Sequence, residues 1–411
     1  MTIDPIILDW LQFAARWLHV VTAIAWIGSS FYFIALDLGL RKSDALPEGA
    51  NGEEWQVHGG GFYHIQKYLV APERLPDHLT WFKWESYWTW LSGFILLCLT
   101  YYMSADIYLI DTNKLDIPIS AGIAISVASM VVGWFAYDLF CKSKFGDDNV
   151  RLMLALYVVL VALSWGFAQI FTGRAAFLHI GAITATWMSA NVFLVIIPNQ
   201  KIVVEDLKAG RTPDPKYGQI AKQRSTHNNY LTLPVIFFML SNHYPLAFAT
   251  EYNWVIAALV LLMGVTIRHY FNSMHARAGK PVWTWFATAA LFAAIIFLST
   301  FAPSAPTEDE DTSSIKLTPS EVRLTKAASF EEVSDIVMGR CAMCHATEPG
   351  WEGIHRAPKG VILETPNQVA RHARDIYLQA ARSHAMPPAN VSFMEVEERL
   401  KIAAWYETAA R

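Results

Sequence analysis

The chain has 411 residues, 54% of them apolar or aromatic and only 17% charged, a balance that argues against a soluble enzyme, where about 45–50% and 25% are usual. Its 32 basic and 36 acidic side chains leave a net charge of −4, which argues against a nucleic-acid partner. Four cysteines are too few to staple a chain of this length.

Apolar runs of about 20 residues, each long enough for a helix to cross a hydrocarbon core, recur at 10–39, 85–105, 117–141, 152–172, 177–198, 228–249, 253–274 and 282–302. The sequence therefore predicts an all-α fold that begins with a polytopic eight-helix transmembrane bundle over residues 1–302. Asp4, Asp9 and Arg16 stand at the start of the first run, which continues to Leu40. It lacks the basic leader and small-residue cleavage site of a removed signal and is expected to stay as an anchor. Connections after the first, third, fifth and seventh runs carry 5, 3, 6 and 2 Lys or Arg, among them Arg74 and Arg224, against 1, 1 and 0 after the second, fourth and sixth. Basic loops stay inside, so both termini are expected in the periplasm of a bacterium, with the chain multi-pass in its inner membrane. Arg16 to His19 with Trp26 is echoed by Arg174 to His179 with Trp187, a weak repeat that fits two parallel four-helix halves.

Ionisable side chains at membrane depth are functional candidates. In this topology His19, His179 and His243 form an outer layer, where imidazoles from different helices would ligate a b-type haem. Each of them alone also reads as an interfacial histidine bonded to a carbonyl. His227, His269 and His275, with Arg268, Asn228, Asn229 and Asn272, form an inner layer. Ser225 or Thr226 is placed to cap the sixth helix there. Together these donors and acceptors suit a planar, anionic, amide-rich molecule arriving from the cytoplasm. A snorkelling arginine beside capping residues explains the same letters.

The connection 41–83 is long for a helical bundle and holds Trp55-Gln-Val-His58-Gly-Gly-Gly-Phe62-Tyr63-His64. Loops of this length are functional or disordered, and its aromatics argue against disorder. The His-Gly-Gly-Gly stretch is similar to an esterase oxyanion loop, but no Gly-x-Ser-x-Gly follows, and a lid over the inner pocket is the expectation. Glu85 begins the second run among Trp81, Trp84, Trp88 and Trp90, which also read as an aromatic belt.

At Pro303 the chain turns polar and acidic, and four acids account for the whole net charge. Residues 303–328 read as a tether. Ser329 then opens a helical pattern, and Met394–Ala410 forms an amphipathic helix with Trp405 and Tyr406 for a core, so 329–411 is a small domain that would gain from a prosthetic group. Cys341-Ala-Met-Cys344-His345 has the spacing of covalent c-type haem attachment: both thiols reach the vinyl groups and His345 sits beneath the iron. Met386 follows 41 residues later in Ala-Met-Pro-Pro and would ligate from the opposite face, in competition with Met394, His372 and His384. A zinc or redox C-x-x-C is the other reading. These residues resemble small class I cytochromes c over 329–411, and Pro358 matches the loop proline whose carbonyl orients the proximal histidine. One haem c is expected.

Taken together, the His19 run, the His58-Gly-Gly-Gly-Phe-Tyr loop, the His179–Asn191 run and the fused C-x-x-C-H domain resemble the bacterial membrane-bound urate oxidases (urate hydroxylases), across essentially the whole chain. The resemblance implies oxidation of urate to 5-hydroxyisourate, with electrons leaving through the cytochrome toward a cytochrome oxidase or a soluble cytochrome instead of forming hydrogen peroxide. It brings no catalytic residues with it. Proton acceptors for the two one-electron steps are therefore sought in the inner layer, at His227, His269 or Glu85, and substrate contacts at Arg268, Asn228, Asn229 and Asn272. Two competing readings are a quinol-oxidising membrane cytochrome subunit that only transfers electrons, and a copper- or haem-handling membrane protein suggested by the His19 run alone. The fused C-x-x-C-H domain disfavours the second.

Overall fold

A computed structural model describes residues 4–68, 75–111, 114–301, 317–354 and 357–410. Apolar segments without water must satisfy their own backbone groups, and here they do so as helices. Helix α1 (Pro5–Gly39) is one piece of 35 residues, opened by the Asp4 carboxylate, which accepts from the N–H groups of Ile6 and Ile7. Helix α2 (Trp84–Leu97) returns antiparallel to it, with Gln12 donating to the carbonyl of Leu99 (2.7 Å) near one end and Phe33 against Phe82 near the other. A π-helical turn (Cys98–Tyr102) and the short α3 (Ala105–Tyr108) lead to α4 (Ile119–Lys142) and α5 (Asn149–Ala168). Helix α6 (Gly173–Ala190) passes through a second π turn (Asn191–Ile196) into α7 (Ile197–Lys208). Helices α8 (Lys216–Leu240), α9 (Asn253–His275) and α10 (Trp283–Thr300) complete the bundle.

Six helices among the described residues are long and apolar enough to cross a membrane: Pro5–Gly39, Ile119–Lys142, Asn149–Ala168, Gly173–Lys208, Asn253–His275 and Trp283–Thr300. The second and sixth expected runs are also helices but fall short of that test. Regular α2 has only 14 residues before its π turn, and α8 opens with the polar stretch Lys216–Asn229. Ser225 and Thr226 therefore lie inside α8 and cap nothing; the Thr226 hydroxyl donates back to Lys222. Helix α6 is the most enclosed, buried almost continuously from Ala175 to Ser189 against α4, α5 and α8. On the outside, Trp10, Trp17, Ile24, Val132, Phe135, Leu154, Val158, Phe286 and Phe297 are exposed, an apolar belt too extensive for a surface facing water.

The long connection departs from the all-α expectation. It carries an antiparallel hairpin, β1 (Ala50–His58) and β2 (Gly61–Tyr68), with His58 paired to Gly61. Gly59 and Gly60 have φ of 60° and 80°, the left-handed pair that a two-residue type I′ turn requires. The His-Gly-Gly-Gly stretch is this turn. Arg74, counted for topology, and residues 303–316 of the expected tether lie outside the described residues.

The small domain starts earlier than Ser329. Thr318 opens α11 (Pro319–Thr325) with a capping box, and the Leu324 carbonyl accepts from Trp405 Nε1 (3.2 Å). Helix α12 (Phe330–Cys341) crosses α15 (Val396–Ala409) with Phe330 against Trp405, while α13 (Pro366–Arg371) and α14 (Ala373–Ile376) close the core around Val333, Val337, Val369 and Ile402.

In the bundle, α8 and α9 meet where Pro234 packs on Gly264, and a Cβ at Gly264 would come 2.4 Å from Pro234 Cδ. Gly264→Val should cost about 1–3 kcal/mol by overpacking. Gly28→Ala, which meets nothing within 4 Å, should be neutral or gain up to about 1 kcal/mol of helix propensity. Thermal unfolding in detergent would rank the two.

Candidate functional site

Helix α12 ends on Cys341, and Cys344 and His345 follow on the next turn. His345 donates from Nδ1 to the carbonyl of Val361 (2.9 Å), and its own carbonyl accepts from Leu363 (2.7 Å), so Nε2 is the ring nitrogen left for a ligand. The acceptor is Val361, not Pro358; the turn Pro358–Gly360 delivers it. Met386 lines the same cavity as Cys341, Cys344, His345 and His372. Met394 is buried in the core and His384 is exposed away from that cavity. Burial pushes the Cys341 thiol up to about 11, opposite to the lowered thiolate of a redox C-x-x-C pair. Among the described residues no cluster of three or more His, Cys, Asp or Glu is placed to hold a metal ion.

Two arginines hold the Met386 loop. Buried Arg399 donates to the carbonyls of Ala380 and Met386 (the latter 2.8 Å) and to Asn390 Oδ1 (3.1 Å). Arg340 forks onto Glu398 and reaches the Ser392 carbonyl (3.0 Å).

The cavity, about 920 Å³, continues into the bundle, where Arg16, His19, Trp90, Gly93, Arg174 and His243 line it. The junction is tied by Tyr108, whose hydroxyl donates to Asp375 (3.1 Å); on the bundle side the Arg174 guanidinium lies 5.6 Å and 5.0 Å from the rings of Tyr101 and Tyr108 and donates to Asn242 (3.2 Å). His19 donates from Nδ1 to the Thr89 carbonyl (2.9 Å), and its ring lies so close to Gly93 that a Cβ there would come 2.8 Å from Cε1. His243, in the turn after α8, is exposed at the cavity mouth.

His179 does not join them. Its Nδ1 donates to Ala175 (2.7 Å), its Nε2 accepts from Ser126 (2.5 Å), and its ring stacks on Phe171, because this face of α6 is turned to α4 and α5.

At the hairpin end of the bundle the expected inner layer divides into two polar knots on different faces of α8. In the first, the Tyr137 hydroxyl lies 2.8 Å from His227 Nδ1 and accepts from Asn191 Nδ2 (2.9 Å), which also reaches Asn228 Oδ1 (2.9 Å). Arg224, only 1% exposed, donates to Asn191 (3.2 Å) and pairs with Asp138 (2.7 Å). In the second, Arg268 donates to Asn229 (3.3 Å) and Asn272 (2.9 Å), Asn272 donates to Asn229 (2.8 Å), and the guanidinium rests 4.3 Å from the centre of Phe31. His269, one residue round the helix from Arg268, is exposed beside Trp283 and joins neither knot. Glu85 is half-buried on the first turn of α2, next to Ser86, whose carbonyl accepts from Ser189.

Sequence reasoning missed Tyr137, Asp138, Asn191 and Arg224. A polar Asn191 inside an apolar run is the available signal; in the sequence Arg224 reads only as a loop charge. Buried atoms without a partner among the described residues include His227 Nε2, Arg224 Nε, Trp187 Nε1 and Asn229 Nδ2.

Removing Asp138 would leave Arg224 an unpaired buried charge. Asp138→Ala should therefore cost about 3–5 kcal/mol, and adding Arg224→Leu should recover much of it, as a double-mutant cycle by denaturant unfolding would read. Partial burial raises the Glu398 carboxyl, but Arg340 and the Glu395 N–H outweigh it and hold it below its ordinary value. Its contribution is thus complete above about pH 4.3 and lost as pH falls through the lower folded value. Glu398→Gln should flatten that acid-side loss in hydrogen exchange of α12 and α15.

The model of the Urate oxidase N-terminal family matches residues 5–299, the helical bundle from end to end. No curated protein matches the chain, and no solved structure does. Covering well over half of its length, the family match settles where this bundle belongs: the chain is a member of the urate oxidase N-terminal family.

Proposed function

We propose that the chain is a membrane-embedded urate oxidase whose electrons leave through a haem c on its C-terminal domain instead of reducing oxygen to peroxide. The family supports a urate-related oxidoreductase. The observation that carries the electron route is the single cavity shared by Cys341, Cys344, His345 and Met386 with His19.

The residues present fit the groups. Cys341 and Cys344 would hold the porphyrin, and His345 and Met386 would supply ligands to its iron, with Val361 fixing the histidine tautomer as outer-shell acceptors do. In the bundle His19 has the same arrangement, Nδ1 on a carbonyl and Nε2 uncommitted, and would hold a b-type haem; His243 is the second candidate, and His179 has no free nitrogen. When bound, such groups supply one-electron acceptors. The balance is urate plus water giving 5-hydroxyisourate, two protons and two electrons.

The chain's own work is to bind the purine and take up a proton. Asn229, Asn272 and Arg268 offer amide and guanidinium edges to a planar anion; Asn228, on the other face of α8, has both amide atoms engaged, by Asn191 and the Met188 carbonyl, and is not one of them. His227 is preferred to His269 and Glu85 as proton acceptor, because its ring is buried in a knot. With Nδ1 donating to Tyr137, whose own proton can turn to Cys141, Nε2 keeps its lone pair. All eight long helices are taken to cross a bacterial inner membrane in contact with lipid, with the C-terminal domain in the periplasm. There it meets a cytochrome oxidase or a soluble cytochrome, and urate arrives from the cytoplasm.

Anaerobic addition of urate to the purified full chain should bring up the reduced haem bands, with one 5-hydroxyisourate per two electrons. Cys341→Ser should abolish the c-type bands, and His227→Ala should slow the reduction by about 10²–10⁴. Reduction by a quinol but not by urate would overturn the reading in favour of an electron-transfer subunit.

A further inference from the structure

A second chamber, about 630 Å³, lies between the β-hairpin and the neighbouring ends of α1 and α9. Its size falls within the roughly 300–1,000 Å³ of small-molecule sites. Tyr32, Arg41, Glu54, Gln56, His275 and Arg277 line it, and they come from three separate elements. The hairpin is tied down as a roof: Tyr32 donates to Gln56 Oε1 (2.6 Å) and Gln56 Nε2 donates to Glu54 (2.9 Å). Arg277 ends α9 in the left-handed region (φ 54°) and donates to the Gly39 carbonyl at the end of α1 (2.7 Å), closing the floor.

The lining is chemically mixed. It includes two arginines, Arg41 and Arg277, and the carboxylate residues Glu53 and Glu54. Glu53 is already engaged by Ser43 (2.6 Å) and His64 (2.6 Å), and both hold its carboxyl below the usual range. Glu54 accepts from Gln56 at Oε1 only, so its Oε2 is the carboxylate oxygen left for N–H groups, while the arginines serve oxygens. His275 Nδ1 is buried and has no partner among the described residues. Such a wall fits a flat molecule with N–H donors and negatively charged carbonyl-type oxygens alternating around its edge.

Position adds the rest. His275 is two helical turns, about 10 Å, beyond Arg268 on the same face of α9. Phe31, which carries the Arg268 guanidinium, precedes Tyr32 on α1. The chamber and the Arg268–Asn229–Asn272 knot therefore lie within about two turns of each other where α1 meets α9.

We propose that this hairpin-roofed chamber is a first binding station for the planar anionic substrate, loaded before the ligand passes on toward Arg268. The identity of the ligand rests on the urate reading; the chamber's role as a binding site does not.

The test uses the full chain in detergent, with radiolabelled urate in equilibrium dialysis and, separately, steady-state turnover. Arg41→Ala and Gln56→Ala should weaken equilibrium binding about tenfold and raise KM with kcat within twofold. Arg41→Lys should recover part of the loss. Val57→Ala, on the exposed outer face of the hairpin, should change nothing, which controls for a disturbed fold. Unchanged binding and KM in both variants, or a fall in kcat alone, overturns the proposal. If wild-type haem is not reduced by urate and both variants still lose binding, the chamber stands and the oxidase reading falls. If urate neither binds nor reduces, both fall.

Discussion

A polar atom sealed among apolar helices must find a partner inside the protein, because no water is there to replace one. That constraint sorts the histidines of this bundle. His179 has both ring nitrogens engaged, by Ala175 and Ser126, and so does structural work. His19 and His227 each have Nδ1 committed, to Thr89 and Tyr137 respectively, which fixes the ring and leaves Nε2 for chemistry. Sequence position alone treats the three alike; only the count of occupied nitrogens separates them.

The same constraint governs the arginines, and each is answered differently. Arg174 is held between two tyrosine rings and an asparagine, Arg224 by Asp138, and Arg268 by two amides over Phe31. Cation–π contact and neutral amides neutralise no charge. Arg174 and Arg268 therefore remain electrostatically able to attract an anion, whereas Arg224 is compensated where it stands. This places the anion-attracting capacity at the two ends of the bundle: one at the cavity shared with the C-terminal domain, the other at the hairpin end, about two turns of α9 from the hairpin chamber.

Much of this was legible in the letters. Apolar runs marked every long helix because helical burial demands length, and the Cys341 to His345 motif with Met386 marked one cavity. The hairpin was misread because its aromatic strands hid a turn signal: paired glycines between alternating residues outweigh an apparent His-Gly-Gly-Gly motif. The inner layer was read as one pocket because neighbours in sequence were treated as neighbours in space. Asn228 and Asn229 stand about 100° apart on α8, so they enter separate knots. Tyr137, Asn191 and Arg224 come from three helices, and no spacing rule joins them. The start of the C-terminal domain was placed too late because polar residues near an acidic stretch read as linker, although Thr318 and Glu321 spell a capping box.

Helix α6 explains how two ends so differently equipped work as one device. It carries Arg174 at the junction, turns Thr186 to the shared cavity, stacks Trp187 on Tyr137 at 4.8 Å, and ends its regular course at Asn191. There the helix widens into a π turn, a geometry that recurs at functional sites, and the Asn191 amide at its start reaches Tyr137, Asn228 and Arg224 together. Thr186 and Asn191 are separated by about 7 Å of helix rise. Under the proposed reaction, the knot that handles the proton and the cavity that receives the electrons are thus fixed to one rigid, almost wholly buried element. That common element sets their spacing, which is what two sequential electron transfers from one bound purine would require.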